Sequence, residues 1–324
     1  MVRKPLVVVL GASGYLGTAI AAAFADQPMR LRLVARRPAA VPRQAVDAEV
    51  RTADLTDVGQ LAEAVRGADT VVHLVAKIGG ATSWRGAEAD PAVARVNVGV
   101  VRDLVDVVRA EGRNPAVLFA GTVASVGVPN RIRIDGSEPD APVSAYPRQK
   151  LEAERILAAA TEEGVLRAVT LRLPTIFGPG TGARGIVPGM IGRALAGEAL
   201  TLWDREVRRD LVHIDDVARA FVAAHHHADA LAGRHWLVGT GMSEPLGVIF
   251  SMIATAVSVR TGLPPVPVNQ VAPPPEAEAT DLHGVEVDAS AFRLVTGWSP
   301  RVGRLAALGE LVDELARGDV RAAG

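Results

Sequence analysis

The 324-residue chain has no cysteine, only 4% aromatic residues, three lysines (Lys4, Lys77 and Lys150) and two tyrosines (Tyr15 and Tyr146). Without cysteine there is no disulfide framework, no thiol nucleophile and no Cys-ligated zinc site. An excess of one charge sign is missing too, since 35 Lys plus Arg stand against 36 Asp plus Glu for a formal net charge of -1. Nothing in that balance draws nucleic acid phosphates or anionic lipid, so neither is an expected partner. Long apolar runs are also absent, and none approaches the about 18 residues that a membrane span requires. Leu6 to Leu10, bounded by Pro5 and Gly11, is too short for the apolar centre of a signal peptide, and a cytoplasmic protein is expected.

What is present is 49% apolar content in a chain near the size at which one core divides into lobes. Short apolar runs alternate with amphipathic stretches, the pattern of buried parallel strands joined by helical crossovers. Strand-like runs lie at Leu6 to Leu10, Leu31 to Ala35, Glu49 to Thr52, Thr70 to Val75, Ala116 to Ala120 and Val165 to Leu173. Helices are predicted at Tyr15 to Ala25, Asp57 to Arg66, Pro91 to Ala110 and Ala145 to Thr161, two of them with start signals in Asp90 and Ser144. After Pro174 the rhythm loosens into a Gly-rich loop, shorter elements and a Pro-rich stretch from Pro264 to Pro275, with late helices predicted at Asp216 to Ala228, Leu246 to Thr261 and Leu305 to Ala316. The expected fold is α/β, a Rossmann-like doubly wound parallel sheet over residues 1–175. A smaller C-terminal substrate-binding lobe is expected over 176–324, with some segments returning to the larger domain. Ligands of such a sheet bind at the carboxyl ends of its strands.

Gly11-Ala-Ser13-Gly14-Tyr15-Leu16-Gly17 follows the first strand and opens the first helix. Gly11 permits the tight turn, Gly14 lets backbone approach a pyrophosphate at the helix N-terminus, and Gly17 lets helix and strand lie close. The second strand runs into Arg36-Arg37, where an NAD site usually carries an acid for the ribose 2′-hydroxyl. Guanidinium groups suit a 2′-phosphate, so the expected cofactor is NADP, although two solvated charges are the plainer alternative. Asp54 and Leu55, after the third strand, suit the adenine as acceptor and apolar wall; a helix-capping role for Asp54 is the competing reading.

Tyr146-Pro-Arg-Gln-Lys150 places a phenol and an ammonium one helical turn apart on one face. A nearby cation favours phenolate, which predicts a lowered pKa and a better proton donor to a carbonyl receiving hydride. In a chain so poor in both residues, this spacing arises by chance in about 2% of cases.

These segments, with Leu118-Phe-Ala-Gly-Thr122, Val71-Val-His-Leu-Val-Ala76, Leu171-Arg-Leu-Pro-Thr-Ile-Phe-Gly178 and Arg209-Asp-Leu-Val-His213-Ile-Asp-Asp-Val217, resemble the extended short-chain dehydrogenase/reductases of the sugar-nucleotide epimerase/dehydratase branch. The resemblance spans essentially the whole chain. It implies Thr122 as the hydroxyl that hydrogen-bonds the reacting carbonyl, Tyr146 as acid and Lys150 as its tuner and a ribose ligand. It further implies Leu74, Val75, Ala76 and Lys77 along the cofactor's ribose, Pro174 and Ile176 at its carboxamide, and Arg209 at the substrate diphosphate. The chain departs from the pattern at Gly121, usually serine, at Val126, commonly tyrosine, and in having no second arginine near Ala279 to Asp281.

A dehydratase of this branch carries an Asp-Glu pair after the catalytic hydroxyl, where this chain has Val123-Ala124. An epimerase recycles its NAD, whereas Arg36-Arg37 point to NADPH and net reduction. Ala76 to Arg85, Ser144 to Lys150 and Leu231 to Gly239 are similar to the 4-ketoreductases of actinobacterial antibiotic deoxysugar pathways, which implies a dTDP-4-keto-6-deoxyhexose substrate. In that reaction hydride reaches C4 while Tyr146 protonates the oxygen and Thr122 shares the developing charge. Trp84 and Arg85 are candidates for sugar contact and Trp203 for the thymine, each with packing as an equal alternative. His225-His226-His227 cannot ligate one metal from successive helical positions, so no metal is expected, and His213 reads as structural. A nucleotide-sugar epimerase, a non-enzymatic NADP-sensing protein and a reductase of apolar ketones are the competing classes. A homodimer through the helices at Pro91 to Ala110 and Ala145 to Thr161 is implied by the resemblance.

Overall fold

The structure is a computed structural model that describes residues 4–77, 90–180, 185–275 and 277–322. Its first half runs β1 (Leu6–Leu10), α1 (Tyr15–Ala25), β2 (Arg30–Ala35), β3 (Ala48–Thr52), α2 (Val58–Val65), β4 (Thr70–His73), α3 (Pro91–Ala94), a π-turn (Arg95–Gly99), α4 (Val100–Glu111) and β5 (Ala116–Thr122). A 3₁₀ turn (Val123–Val126), β6 (Arg133–Ile134), α5 (Ala145–Glu162), β7 (Arg167–Leu173), β8 (Thr175–Phe177), α6 (Ile186–Leu195), β9 (Leu200–Leu202) and β10 (Arg208–His213) follow. The rest comprises α7 (Ile214–His226), α8 (Ala228–Leu231), β11 (Arg234–Leu237), β12 (Ser243–Pro245), α9 (Leu246–Thr261), β13 (Val268–Gln270), β14 (Glu286–Val287), α10 (Ser290–Thr296) and α11 (Arg304–Ala322).

Seven strands form one parallel sheet in the order β11-β7-β5-β4-β1-β2-β3, so the chain reverses direction across the sheet between β1 and β4. The apolar run of β1 is explained by its two covered faces. Val7 and Val9 enter one core with Ile20 and Phe24 of α1 and Phe221 of α7, while Val8 and Leu10 enter a second with Leu61 of α2, Leu104 of α4 and Leu157 of α5. A third core, with Phe177, Ile191, Leu211, Phe250 and Leu311, lies under the smaller lobe, where β8, β10 and β12 make a separate sheet. Chain segments return from that lobe: α7 packs on α1, and β11 completes the large sheet beside β7.

Two local expectations are corrected. The helix predicted over Pro91 to Ala110 is interrupted by the π-turn, and the fourth strand stops at His73, opposite the last residue of β1; the Leu74 N–H still donates to the Leu10 carbonyl at 3.0 Å. Asp90 accepts from the Ala92 N–H at 2.9 Å as its position predicts, whereas Ser144 occupies the N-cap of α5 without a side-chain capping bond. Among the described residues no helix is long and apolar enough to cross a membrane.

Candidate active site

Because the seven strands are parallel, their carboxyl ends share one edge, and the segments after β1, β2, β3, β4, β5 and β7 meet there. Gly11 leaves β1 with φ +90°, a conformation side-chain-bearing residues avoid, and a Cβ on it would lie 3.4 Å from the backbone of Leu74 and Val75. A Cβ on Gly17 would stand 2.1 Å from the Gly11 carbonyl, so α1 can sit on the turn only because Gly17 lacks a side chain. Gly14 caps α1 with no side-chain hydrogen bond and no acid follows in the first turn, which leaves the N–H groups and the positive end of the helix for an anion. Ser13, Tyr15 and Leu16 are half-buried in this turn; the Tyr15 hydroxyl donates to the Gly178 carbonyl at 3.2 Å, and burial with the charges of Asp215 and Glu314 raises its pKa. These features fit a dinucleotide pyrophosphate.

Arg36 and Arg37 project into solvent at the end of β2, with no ion pair among the described residues. Asp54 is exposed nearby. Its Oδ1 accepts from the Thr56 N–H and hydroxyl, and those bonds, with a contribution from the Arg36 charge, hold its pKa below the usual carboxylate range. Helix α2 is capped by Asp57, which accepts from the Gln60 N–H at 2.9 Å, so Asp54 is not the capping acid. Leu55 is buried beside it.

Leu74 and Val75 are half-buried, Ala76 and Lys77 exposed, and this segment is held by a residue that sequence reasoning missed. Asn97, buried in the π-turn, accepts the Lys77 N–H at 2.7 Å and donates to the Lys77 carbonyl at 2.9 Å and to Gln149 of α5 at 2.7 Å. The available signal was an asparagine on a helix face otherwise made of Val93, Val100, Val101 and Leu104. Lys77 Nζ pairs with Asp90 at 3.1 Å.

Helix α5, which carries Tyr146 and Lys150, packs against β5 and the 3₁₀ turn that follows Thr122. Burial pushes the Tyr146 phenol up to about 12, not down as the Lys150 charge alone predicts. The same burial pushes Lys150 down to about 7, against the pull of Glu154. Both shifts follow from the cost of the charged form away from water. The Lys150 ammonium makes no hydrogen bond among the described residues and rests 4.1 Å from the Phe119 ring centroid. Beneath it His73 is fully buried with both ring nitrogens unpaired, and burial with the Lys150 charge drives its pKa down to about 3.

Thr122 Oγ1 accepts the Ala124 N–H at 3.2 Å. At Gly121 a Cβ would meet Thr170 Cγ2 at 2.8 Å, so the serine of the family pattern has no room and Thr122 is left as the hydroxyl at this strand end. Thr122, Pro174 and Arg209 line one cleft of about 230 Å³ together with Asp210, Thr280 and His283. Ile176 lies half-buried in β8. Trp203 is partly buried after β9 and does not line this cleft. Trp84 and Arg85 lie outside the described residues.

Arg209 reaches the cleft, but its Nη atoms donate to the carbonyls of Arg208 (3.0 Å), His283 (2.7 Å), Thr280 (3.3 Å) and Asp281 (2.7 Å). Four bonds use all four Nη hydrogens. His213 is buried, accepts the Asp215 N–H at 3.2 Å and caps α7. His225 meets Thr70 at 2.9 Å and packs edge-on against Phe24, while His226 faces Gln27.

Over 304 residues and 91% of both chains, the sequence is 27% identical to a dTDP-6-deoxy-L-talose 4-dehydrogenase (NAD(P)(+)) of Kitasatospora kifunensis. It is 26% identical to a UDP-glucose 4-epimerase of Corynebacterium glutamicum over 90% of each chain. The structure of MoeE5 in complex with UDP-glucose and NAD superposes with a TM-score of 0.81 at 25% identity, covering 96% of this chain and 99% of that one. Residues 7–239 match the NAD dependent epimerase/dehydratase family, and the chain belongs to that family.

Proposed function

We propose that the protein is an NADPH-dependent reductase of the C4 ketone of a dTDP-4-keto-6-deoxyhexose. The observation that carries this reading is the packing of α5, which bears Tyr146 and Lys150, on β5 and the 3₁₀ turn that Thr122 opens, in the sheet whose first strand leads into the Gly11 to Gly17 turn. The bound dinucleotide supplies the hydride. Tyr146, kept protonated by burial, is poised as the acid that delivers a proton to the carbonyl oxygen, and Thr122 donates a hydrogen bond to the same oxygen. Lys150 follows Tyr146 by one turn and places a cation where phenolate develops. Arg36 and Arg37 favour a 2′-phosphate over the bare hydroxyl of NAD. The Kitasatospora relative, named for redox chemistry at C4 of a dTDP-6-deoxysugar, supports this substrate class.

The likeness to UDP-glucose 4-epimerase favours a nucleotide-sugar epimerase as the second reading. Stoichiometric loss of NADPH absorbance at 340 nm with a dTDP-4-keto-6-deoxyhexose supports the reductase. Conversion of a nucleotide sugar without net cofactor consumption supports the epimerase. A homodimer through α4 and α5 belongs to the same reading. Arg102 and Arg109 already pair within the chain with Glu152 and Glu163, so these ions are not free to bridge two copies, and gel filtration tests the association itself.

A further inference from the structure

The last helix of the chain is bonded, through a single bend, to the turn that opens the first helix. Strand β8 follows Pro174 and runs into Gly178-Pro179-Gly180, and side chains from distant elements fasten this bend at both ends. The Gly178 carbonyl accepts from the Tyr15 hydroxyl at 3.2 Å, and the Gly180 N–H donates to Glu314 Oε1 of α11 at 2.9 Å. Pro179 between them has no N–H to offer. The bend also rests directly on the start of α7, since a Cβ on Gly178 would stand 2.8 Å from His213 Nε2 and from Ile214 Cγ2. Helix α11 packs on α6, α9 and β10, so Glu314 is carried by the body of the smaller lobe.

Tyr15 has two roles in this linkage. It is the first residue of α1, so its N–H is one of those with no partner inside the helix, while its hydroxyl ties the glycine turn to the bend. Burial and the charges of Asp215 and Glu314 keep that hydroxyl protonated and able to donate. A carboxylate so near a turn suited to an anion works against anion binding. Its bond to Gly180 offsets that cost, because a charged acceptor holds an N–H more strongly than a neutral one. We infer that Tyr15 and Glu314 are positioning residues for the dinucleotide: by fastening the two ends of the bend, they fix the distance between the glycine turn and the Pro174 to Ile176 segment, and so between the pyrophosphate and the nicotinamide carboxamide assigned to them. The inference rests on the dinucleotide part of the proposed function. It does not depend on the sugar or on the choice of NADP over NAD.

Calorimetric titration with NADPH and, separately, with 2′-phospho-ADP-ribose, which has the pyrophosphate and lacks the nicotinamide, tests it. Tyr15→Phe and Glu314→Ala are each expected to weaken NADPH about threefold to tenfold, the loss of one hydrogen bond, and to bind the fragment no more weakly than wild type. Combined, they should lose no more than the larger single loss, because both act through one bend. Glu314→Gln keeps an oxygen that accepts from Gly180 and should restore NADPH affinity. Melting temperature reports an intact fold, and Tyr15→Phe alone decides if the alanine variant melts early. Unchanged NADPH affinity in the variants, a parallel loss for the fragment, additive losses, or a glutamine variant as weak as the alanine would overturn the inference. A wild type that binds neither NADPH nor NADH refutes the dinucleotide reading and this inference with it. One that prefers NADH keeps the inference, with NADH and ADP-ribose as the pair to titrate. Variant-dependent NADPH binding without oxidation by any dTDP-4-keto sugar refutes the reductase and leaves both residues in their roles.

Discussion

Lys150 and Glu154 stand one turn apart on α5, both buried, and their surroundings could hardly differ more. Glu154 accepts from Arg172, which has no exposed side-chain surface, at 3.1 and 2.8 Å, and faces His235 Nδ1 at 3.2 Å; Arg172 also forks onto Asp140. Burial alone would raise the Glu154 pKa, but His235 and Arg172 reverse the effect and lower it. Lys150 has a ring face and no hydrogen bond, and its pKa falls to about 7. The contrast separates two uses of buried charge. A fully partnered ion stabilises the fold once it is there, and an unpartnered one is retained at a cost where chemistry needs it.

The largest expected effect falls on the unpartnered side. Tyr146→Phe keeps the packing and removes the proton, and kcat is expected to fall about 10² to 10⁴-fold with melting temperature little changed. Glu154→Ala should do the opposite kind of damage. Arg172 loses one of two carboxylates, breaking a buried pair costs about 3–5 kcal/mol, and thermal denaturation should show a drop on the order of 10 °C. If Glu154→Ala melts like wild type, the division between structural and functional charges collapses.

Cofactor choice gives a smaller effect. Replacing Arg36 and Arg37 with alanine should weaken NADPH roughly 10 to 100-fold in KM while leaving NADH nearly unaffected, the value of charge-assisted bonds to a phosphate. Equal changes for both cofactors would assign the arginines to the solvent. A different kind of effect concerns pH and stability. With Lys150 lowered from 10.5 to about 7, the unfolded chain binds the extra proton between those values, so the burial cost is fully present below pH 7 and fades as pH rises toward 10.5. Lys150→Met should therefore gain stability over wild type at pH 6, lose that advantage by pH 10, and reduce turnover at both. A methionine variant less stable at pH 6 would mean that Lys150 has a stabilising partner after all.

Much of this was legible in sequence where one physical signal dominates. β1 as Leu6–Leu10 and α1 as Tyr15–Ala25 follow from an apolar run ended by glycine and a glycine-opened helix, and α9 at Leu246–Thr261 matches its predicted span. The Tyr146 and Lys150 spacing placed both on α5, yet the direction of the phenol's shift was misjudged, because spacing reveals neighbours and not the depth of burial. Asn97 escaped because a π-turn leaves no pattern distinct from a helix. Arg209 was found as a residue, but three of its bonds run to carbonyls 71 to 74 positions away, and no local pattern announces them.

The return of β11 to the large sheet carries a practical consequence for dissecting the chain. A fragment cut after β7 would hold the glycine turn, Thr122, Tyr146 and Lys150 and still lack the strand that covers β7, leaving the backbone groups of Val169 to Arg172 open to pair with another molecule. Such a half-protein is expected to aggregate before it binds anything. Removal of the distal lobe is better attempted as an internal deletion that spares α7 through β11 than as a truncation.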